Sequence, residues 1–217
     1  MKKQVLLVSY GASEDNRKNR KVFPAYHLQN IINQLEAFCN KWRIGLNSEK
    51  TFCLNFHTKS INNNSPRLWL RNELIKYKKQ IKFLGITFDE HLTFKNHIED
   101  IVSRCNKRLN LLKALRGQTW GAHPSTILYT YEVFIRPILE YGSILFAHSD
   151  ASLLKKIQAI ETKSIKIAVG LPQWTTNHWC YHQVSFNKIL DRIKKLGKRF
   201  IRKKWKWPTN QTLDWFS

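Results

Sequence analysis

Residues 81–98 read IKFLGITFDEHLTFKNHI, and a change of period inside this stretch decides the fold. Ile81 to Phe88, with Phe83-Leu84-Gly85 at its centre, reads as a strand. From Phe94 the spacing lengthens. Phe94, Ile98, Ile101, Val102, Cys105, Leu109 and Leu112 recur every three or four residues, the stripe of an amphipathic helix, with Arg104, Lys107, Arg108 and Lys113 on its other faces. Strands and helix should therefore alternate before this point, and helices should follow one another after it.

Working back from Ile81, Arg67-Leu-Trp-Leu70 and Leu74-Ile-Lys-Tyr77 flank Arg71-Asn-Glu73 as a hairpin would, and Ile61-Asn-Asn-Asn-Ser-Pro66 reads as a loop. Phe52, Leu54 and Phe56 alternate with Cys53, Asn55 and His57, which predicts a half-buried strand. Leu28, Ile31, Ile32, Leu35, Phe38, Cys39 and Trp42 predict a helix with one buried stripe, running from Pro24 to near Gly45. Val5 to Val8 reads as a short buried strand, followed by a polar, charged loop over Gly11 to Lys21.

Downstream, Trp120-Gly-Ala-His-Pro124 breaks the helical pattern, and Pro124 can start the next helix, which is kinked or split at Pro137. Ser149 or Asp150 suits the N-cap of a helix through Leu153, Ile157, Ile160 and Ile165 that ends at Gly170-Leu-Pro172. In a final helix Ile189, Ile193, Leu196 and Phe200 form one stripe expected to dock on the preceding helices. Lys194, Lys195, Lys198, Arg199 and Arg202 fall on the opposite face at 100° per residue and are expected to meet phosphates.

The chain carries 37 Lys and Arg against 15 Asp and Glu, a formal charge of +22 spread over its whole length. With 42% hydrophobic residues and 8 Trp it can fill a core, which excludes a disordered polycation. A folded protein of this charge is expected to meet a polyanion, and nucleic acid explains the charge in both halves. A basic amphipathic helix could equally lie on an anionic membrane or bind calmodulin, but either accounts for one helix only. No apolar run is long enough for a transmembrane helix or the core of a signal peptide, so an intracellular location, nuclear or cytoplasmic, is expected. Cys39, Cys53, Cys105 and Cys180 lie far apart and are read as reduced, buried thiols. His178-Trp-Cys180-Tyr-His182 places two His on one helical face, a pattern open to metal binding or to aromatic packing. It offers too few ligands for structural zinc.

Catalytic motifs are absent from the sequence. There is no Asp-Asp pair, and Glu14-Asp15, Asp89-Glu90 and Glu99-Asp100 are neighbours whose side chains diverge on a helix or a strand, so none is a metal clamp by itself. Nor does a phosphate loop, a GxSxG elbow or an HExxH pair occur.

Several segments taken in order resemble the reverse transcriptase of non-LTR retrotransposons, in particular jockey-like elements. These are Leu28-Gln29 with Asn33, Trp42 to Thr51 (WRIGLNSEKT), Lys82 to Asp89 (KFLGITFD), Leu92-Thr93-Phe94 with His97-Ile98, Tyr131 with Ile135 to Gly142 (IRPILEYG), and Gly170-Leu-Pro172. The resemblance implies an α+β fold: a short antiparallel palm sheet with a packing helix, followed by an all-helical thumb and a C-terminal extension. It implies a partial palm over residues 1–90 with motifs D and E, a thumb-like helical domain over 91–172, and a basic helical extension over 173–217. Lys50 matches the motif D lysine, an auxiliary cation near the incoming triphosphate. Gly45 would give freedom to turn between helix and strand, and Phe83, Leu84 and Gly85 match the primer grip. Arg104, Lys107 and Arg108 would track the phosphates of the template-primer.

The family's catalytic hairpin, an aromatic-Ala-Asp-Asp turn, would come just before Val5, where this chain has Met1-Lys-Lys-Gln. The resemblance thus implies a C-terminal palm and thumb fragment of an RNA-directed DNA polymerase, inactive alone and without a cofactor of its own, where the intact enzyme uses Mg²⁺. Its partners would be RNA, the RNA/DNA template-primer duplex and the N-terminal half of such a polymerase, not a membrane. The alternatives are a non-catalytic basic nucleic-acid-binding protein derived from a mobile element, or an expressed remnant without a stable fold.

Overall fold

A computed structural model describes residues 6–10, 25–56, 67–117, 121–184 and 187–204. The loops expected over Gly11 to Lys21 and over Ile61 to Pro66, together with His57 and Trp120, lie outside the described residues. The chain divides into two compact units, Met1–Phe94 and Lys95–Ser217. The first holds the strands and one helix, and the second holds helices alone among its described residues, so the α+β class stands.

In the first unit β1 (Leu6–Tyr10) pairs in parallel with β2 (Phe52–Phe56), in register from Leu6 opposite Phe52 to Tyr10 opposite Phe56. Between them runs α1 (Ala25–Lys41), the crossover that a parallel pair requires. Two antiparallel hairpins follow. β3 (Trp69–Leu70) pairs with β4 (Glu73–Leu74), then β5 (Lys76–Tyr77) joins the other side of β2 in parallel, and β6 (Gln80–Phe83) pairs with β7 (Ile86–Asp89). Antiparallel pairing thus holds for the hairpins, whereas the three-stranded sheet runs parallel.

As the middle strand of that sheet, β2 is buried on both faces, not half-buried. Cys53 packs with Ile32, Leu68, Leu70 and Ile75 on one side, while Leu54 and Phe56 pack with Ile81 and Phe88 on the other. Covering layers on both sides are the rule for parallel strands. The α1 stripe is narrower than its sequence suggests. Ile32 and Cys39 are buried, but Ile31, Phe38 and Trp42 are 52%, 54% and 62% exposed. These three fall within about 20° of one line along the helix, roughly 80–100° from Ile32 and Cys39, and a sheet of three short strands does not reach around that far.

The continuous strand expected over Ile81 to Phe88 is a hairpin. Phe83 faces Ile86 across a two-residue turn in which Leu84 (φ 47°) and Gly85 (φ 81°) are both left-handed, the type I′ geometry that fits the strand twist. Arg71 (φ 49°) and Asn72 (φ 61°) do the same between β3 and β4.

In the second unit α2 (Lys95–Arg116) lies against α6 (Ala151–Val169), with α3 (Pro124–Phe134) packed on both. Ile98, Ile101, Cys105, Leu109 and Leu112 line the buried side of α2, as the period predicts. Burying each isoleucine contributes about 1.5–3 kcal/mol relative to exposure. Pro124 starts α3 behind His123, whose Nδ1 accepts from the Ser125 N–H, and the helix is split ahead of Pro137, where α4 (Arg136–Glu140) begins. After α5 (Ser143–Phe146), Asp150 caps α6 through the Ser152 N–H at 3.1 Å, and Gly170 ends it at φ 82°. α7 (Asn177–His182) and α8 (Ile189–Lys204) complete the unit.

Candidate nucleic-acid interface

Arg104, Lys107 and Arg108 lie side by side on the exposed surface of α2, but the structure gives them different tasks. Arg104 Nε sits 3.2 Å from Asp100 Oδ2, one turn earlier. The Arg108 guanidinium donates at 2.7 Å to the carbonyl of Phe134, the last residue of α3. Lys107 makes no ion pair among the described residues. The face is cationic, and one of its three charges is partly neutralised while another is committed to packing.

The stronger array is on α8. Ile189 and Ile193 are buried and Leu196 is half-buried, which leaves the opposite face to Lys194, Lys195, Lys198, Arg199 and Arg202, all exposed. Phe200 departs from expectation: it is 47% exposed. The anchoring stripe ends before the last turns of the helix. Lys195, Lys198, Arg199 and Arg202, with Arg192 and Asn187, line a concavity of about 390 Å³. Lys194 stands outside it. Arg192 is paired with Glu140 of α4, so it fixes the helix in place.

α8 is positioned by Glu161, which the sequence reading did not single out. This carboxylate is fully buried on α6. Its Oε2 accepts from the Tyr181 hydroxyl at 2.6 Å and from the Ile189 N–H at 2.9 Å, while Oε1 accepts from the Tyr131 hydroxyl at 3.3 Å and lies 3.7 Å from Arg136. Arg136 is itself buried, with Nη1 2.5 Å from Glu132 Oε1 and its guanidinium over the Tyr131 ring. One side chain thus ties α3, α4, α7 and α8 to α6. Burial pushes the Glu161 carboxyl above the usual range, against the pull of the Ile189 N–H, Tyr181 and Arg136. Burial likewise raises the phenols of Tyr131 and Tyr181, with Glu161 reinforcing the shift. The signal available in the sequence was an acid and an arginine at positions where the helical period calls for buried residues.

In the first unit Lys50 ends a 3-10 turn, Ser48–Lys50, just before β2. Its N–H donates to the Asn47 side chain at 3.0 Å and its own side chain is exposed. Gly45 has no left-handed φ and no atom within 4 Å of where a Cβ would sit, so the freedom expected of it is not used. The left-handed residue after α1 is Arg43 (φ 51°). Phe83 is half-buried, Leu84 is 74% exposed at the hairpin tip, and Gly85 completes the turn. Beyond the hairpin the Asp89 carboxylate accepts from the N–H groups of His91, Thr93 and Phe94 and from the Thr93 hydroxyl, at 2.8–3.1 Å. The first unit therefore sets an exposed lysine before β2 and an exposed apolar side chain on a strained turn.

The described residues do not fit a two-metal site. No three His, Cys, Asp or Glu among them come together so as to hold a metal ion. Asp89 and Glu161 are spent on local donors, while Glu99 pairs with Lys156 at 3.0 Å. The His178 and His182 rings meet edge to face at 4.8 Å, and Cys180 between them in sequence is buried. All four cysteines are buried free thiols, and burial raises the Cys105 thiol to about 11 against the pull of Arg104 and Arg108, which leaves it unreactive. Among the described residues no helix is long and apolar enough to cross a membrane.

Whole-chain comparison returns the resemblance read from the motifs. The chain is 23% identical over 175 residues to the probable RNA-directed DNA polymerase from transposon BS of Drosophila melanogaster, covering 80% of this chain and 19% of that protein. It is 22% identical over 176 residues to the RNA-directed DNA polymerase from mobile element jockey of the same species, covering 81% and 19%. To the probable RNA-directed DNA polymerase from transposon X-element it is 24% identical over 173 residues, covering 80% and 19%. The chain thus spans about a fifth of the length of these curated relatives. No protein-family model matches it, and no solved structure does.

Proposed function

We propose that the chain is a template-primer-holding part of an RNA-directed DNA polymerase of a non-LTR mobile element, binding RNA and RNA/DNA duplex through its phosphates without carrying the nucleotidyl transfer itself. The observation that supports this most is α8, whose buried Ile189 and Ile193 hold a row of exposed cations around a concave surface. Such a surface neutralises successive phosphates, reads no sequence and is steeply salt-dependent. In this reading the first unit is the palm part, with Lys50 offering a cation to the leaving pyrophosphate and the Phe83-Leu84-Gly85 tip against the primer, while α2 to α6 are the thumb and α7 with α8 its basic extension. The Mg²⁺-binding carboxylates belong to the remainder of such a polymerase. Ile31 and Phe38 on α1, with Trp42 just past its end, are the face on which that remainder would seat.

The test is binding to an RNA/DNA hybrid over a range of salt, together with primer extension. Log affinity should fall steeply with log salt. Changing Lys194, Lys195, Lys198, Arg199 and Arg202 to Gln should lower the slope by up to about 4.5, at roughly 0.9 for each phosphate no longer neutralised. The chain alone should incorporate no nucleotide with Mg²⁺ or Mn²⁺. An unchanged slope removes α8 from the interface, and incorporation abolished by reversing the charge of Lys50 would show that this chain carries chemistry.

A further inference from the structure

The C-terminal ends of α2 and α6 enclose a cleft of about 490 Å³ that lies apart from the cationic faces described above. Its charged lining is Lys113, Arg116 and Lys166, with no acidic residue among the described residues that border it. Helix C-termini favour cations, which explains why some positive charge collects here. It does not explain all three. Lys166 is only 9% exposed, and its Nζ donates to the Gln173 carbonyl at 2.7 Å, leaving two of its three N–H donors for other acceptors.

A glycine makes room for Arg116. Gly170 holds φ 82° at the end of α6, and a Cβ there would collide with Arg116 Nη2, so the guanidinium can lie against this turn only because the side chain is absent. Neither Arg116 nor Lys113 makes a hydrogen bond or ion pair through its side chain among the described residues. The cleft therefore presents cationic donors that no acceptor among the described residues fills, apart from the one Lys166 gives to Gln173. Immediately after Gln173, which lines it, Trp174 is 85% exposed. This is a large apolar ring left in water by a unit that buries Tyr131 and Phe146 completely.

We propose that this cleft is a binding site for single-stranded nucleic acid, with a backbone phosphate held among Lys113, Arg116 and Lys166 and a neighbouring base stacked on Trp174. A cationic groove beside an exposed aromatic ring is the combination by which proteins hold single strands irrespective of sequence. An unpaired base offers its face to the ring, whereas in a duplex that face is covered by the next base pair. The site rests on the reading that this chain binds nucleic acid, but it uses none of the α2 or α8 residues assigned to the duplex, and it names a different form of the ligand.

The test compares two variants of the whole chain, Trp174→Ala and Lys113→Gln/Arg116→Gln, by fluorescence anisotropy with a labelled oligouridylate and an RNA duplex of equal length. All three side chains are exposed, so an unchanged thermal midpoint should accompany the binding data. Trp174→Ala should weaken single-strand binding about tenfold and leave duplex binding within about twofold. The double variant should weaken single-strand binding and lower its salt slope by about 0.7 for the one phosphate no longer neutralised. Single-strand binding that matches wild type in either variant overturns the site, and so does an equal loss for both ligands. If the duplex binds and the single strand does not, this site is wrong and the α8 reading stands. If the double variant loses capture by phosphatidylserine vesicles while oligouridylate binding is unchanged, the cleft takes a lipid headgroup and the proposal falls.

Discussion

Replacing Glu161 by Ala should cost the second unit about 3–5 kcal/mol, the range for removing one partner from a buried ion pair. The figure follows from what is left behind. The hydroxyl of fully buried Tyr131, the Ile189 N–H and the Tyr181 hydroxyl lose their acceptor, and Arg136 loses one of its two carboxylates. Each bond to a charged group contributes about 1.5–3 kcal/mol, but the four share one centre and do not add. Arg136 keeps Glu132, which holds the total below their sum. Glu161→Gln can keep an oxygen where Oε2 now accepts from Tyr181 and Ile189, so it should cost only about 1–3 kcal/mol. Urea unfolding of the whole chain followed by far-UV circular dichroism gives the totals, and amide hydrogen exchange shows where the loss falls: protection should drop first in the opening turn of α8, whose Ile189 N–H the carboxylate holds. An alanine variant within about 0.5 kcal/mol of wild type, or a glutamine variant as costly as alanine, would refute the view that this carboxylate organises the unit.

The same residue predicts a pH dependence. Because burial makes its pKa higher folded than unfolded, Glu161 contributes most below the unfolded value of about 4.3 and loses that contribution as pH rises through the folded one; the stability difference between wild type and Glu161→Gln should therefore shrink as pH rises from about 4 and then level off. Gly85→Ala should destabilise the first unit by about 1–2 kcal/mol because φ is 81° there, whereas Gly45→Ala, in open space and without a left-handed φ, should cause no loss; equal effects in thermal melts would contradict the turn geometry. In α8, Ile193→Ala should cost about 2–5 kcal/mol and half-exposed Phe200→Ala clearly less, an order that urea titration would either show or reverse.

The helical unit was legible because its signal is local. The spacing of Ile98, Ile101, Cys105, Leu109 and Leu112 reports a single buried face, and each of these residues is buried on α2. Pro124, Asp150 and Gly170 mark helix ends by their own backbone chemistry, independent of what packs near by. The first unit was less legible because pairing direction is non-local. Alternation along Phe52 to Phe56 shows a strand, but says neither that α1 turns its partner parallel nor that Cys53 meets α1 on the far face. The Phe83-Leu84-Gly85 turn was hidden for another reason: a leucine at positive φ is unusual, so the hairpin presents only half of the usual turn signature.

Within the segments that carry the resemblance, several residues have clear structural tasks in this chain. Arg136 is committed to Glu132 and Glu161, Glu140 to Arg192, Gly142 to a left-handed turn at φ 68°, and Asp89 to four donors in the loop after β7. These are scaffold interactions, each needing a particular residue type at a particular place. The cations proposed for backbone phosphates on α2 and α8 are under no such constraint, since charge acts over several ångströms and a lysine one turn away serves almost as well. Most residues of the matched segments that the structure explains therefore belong to the frame of this chain. The proposed single-strand site, by contrast, joins residues distant in sequence, Lys113 and Arg116 with Lys166 at the ends of two helices.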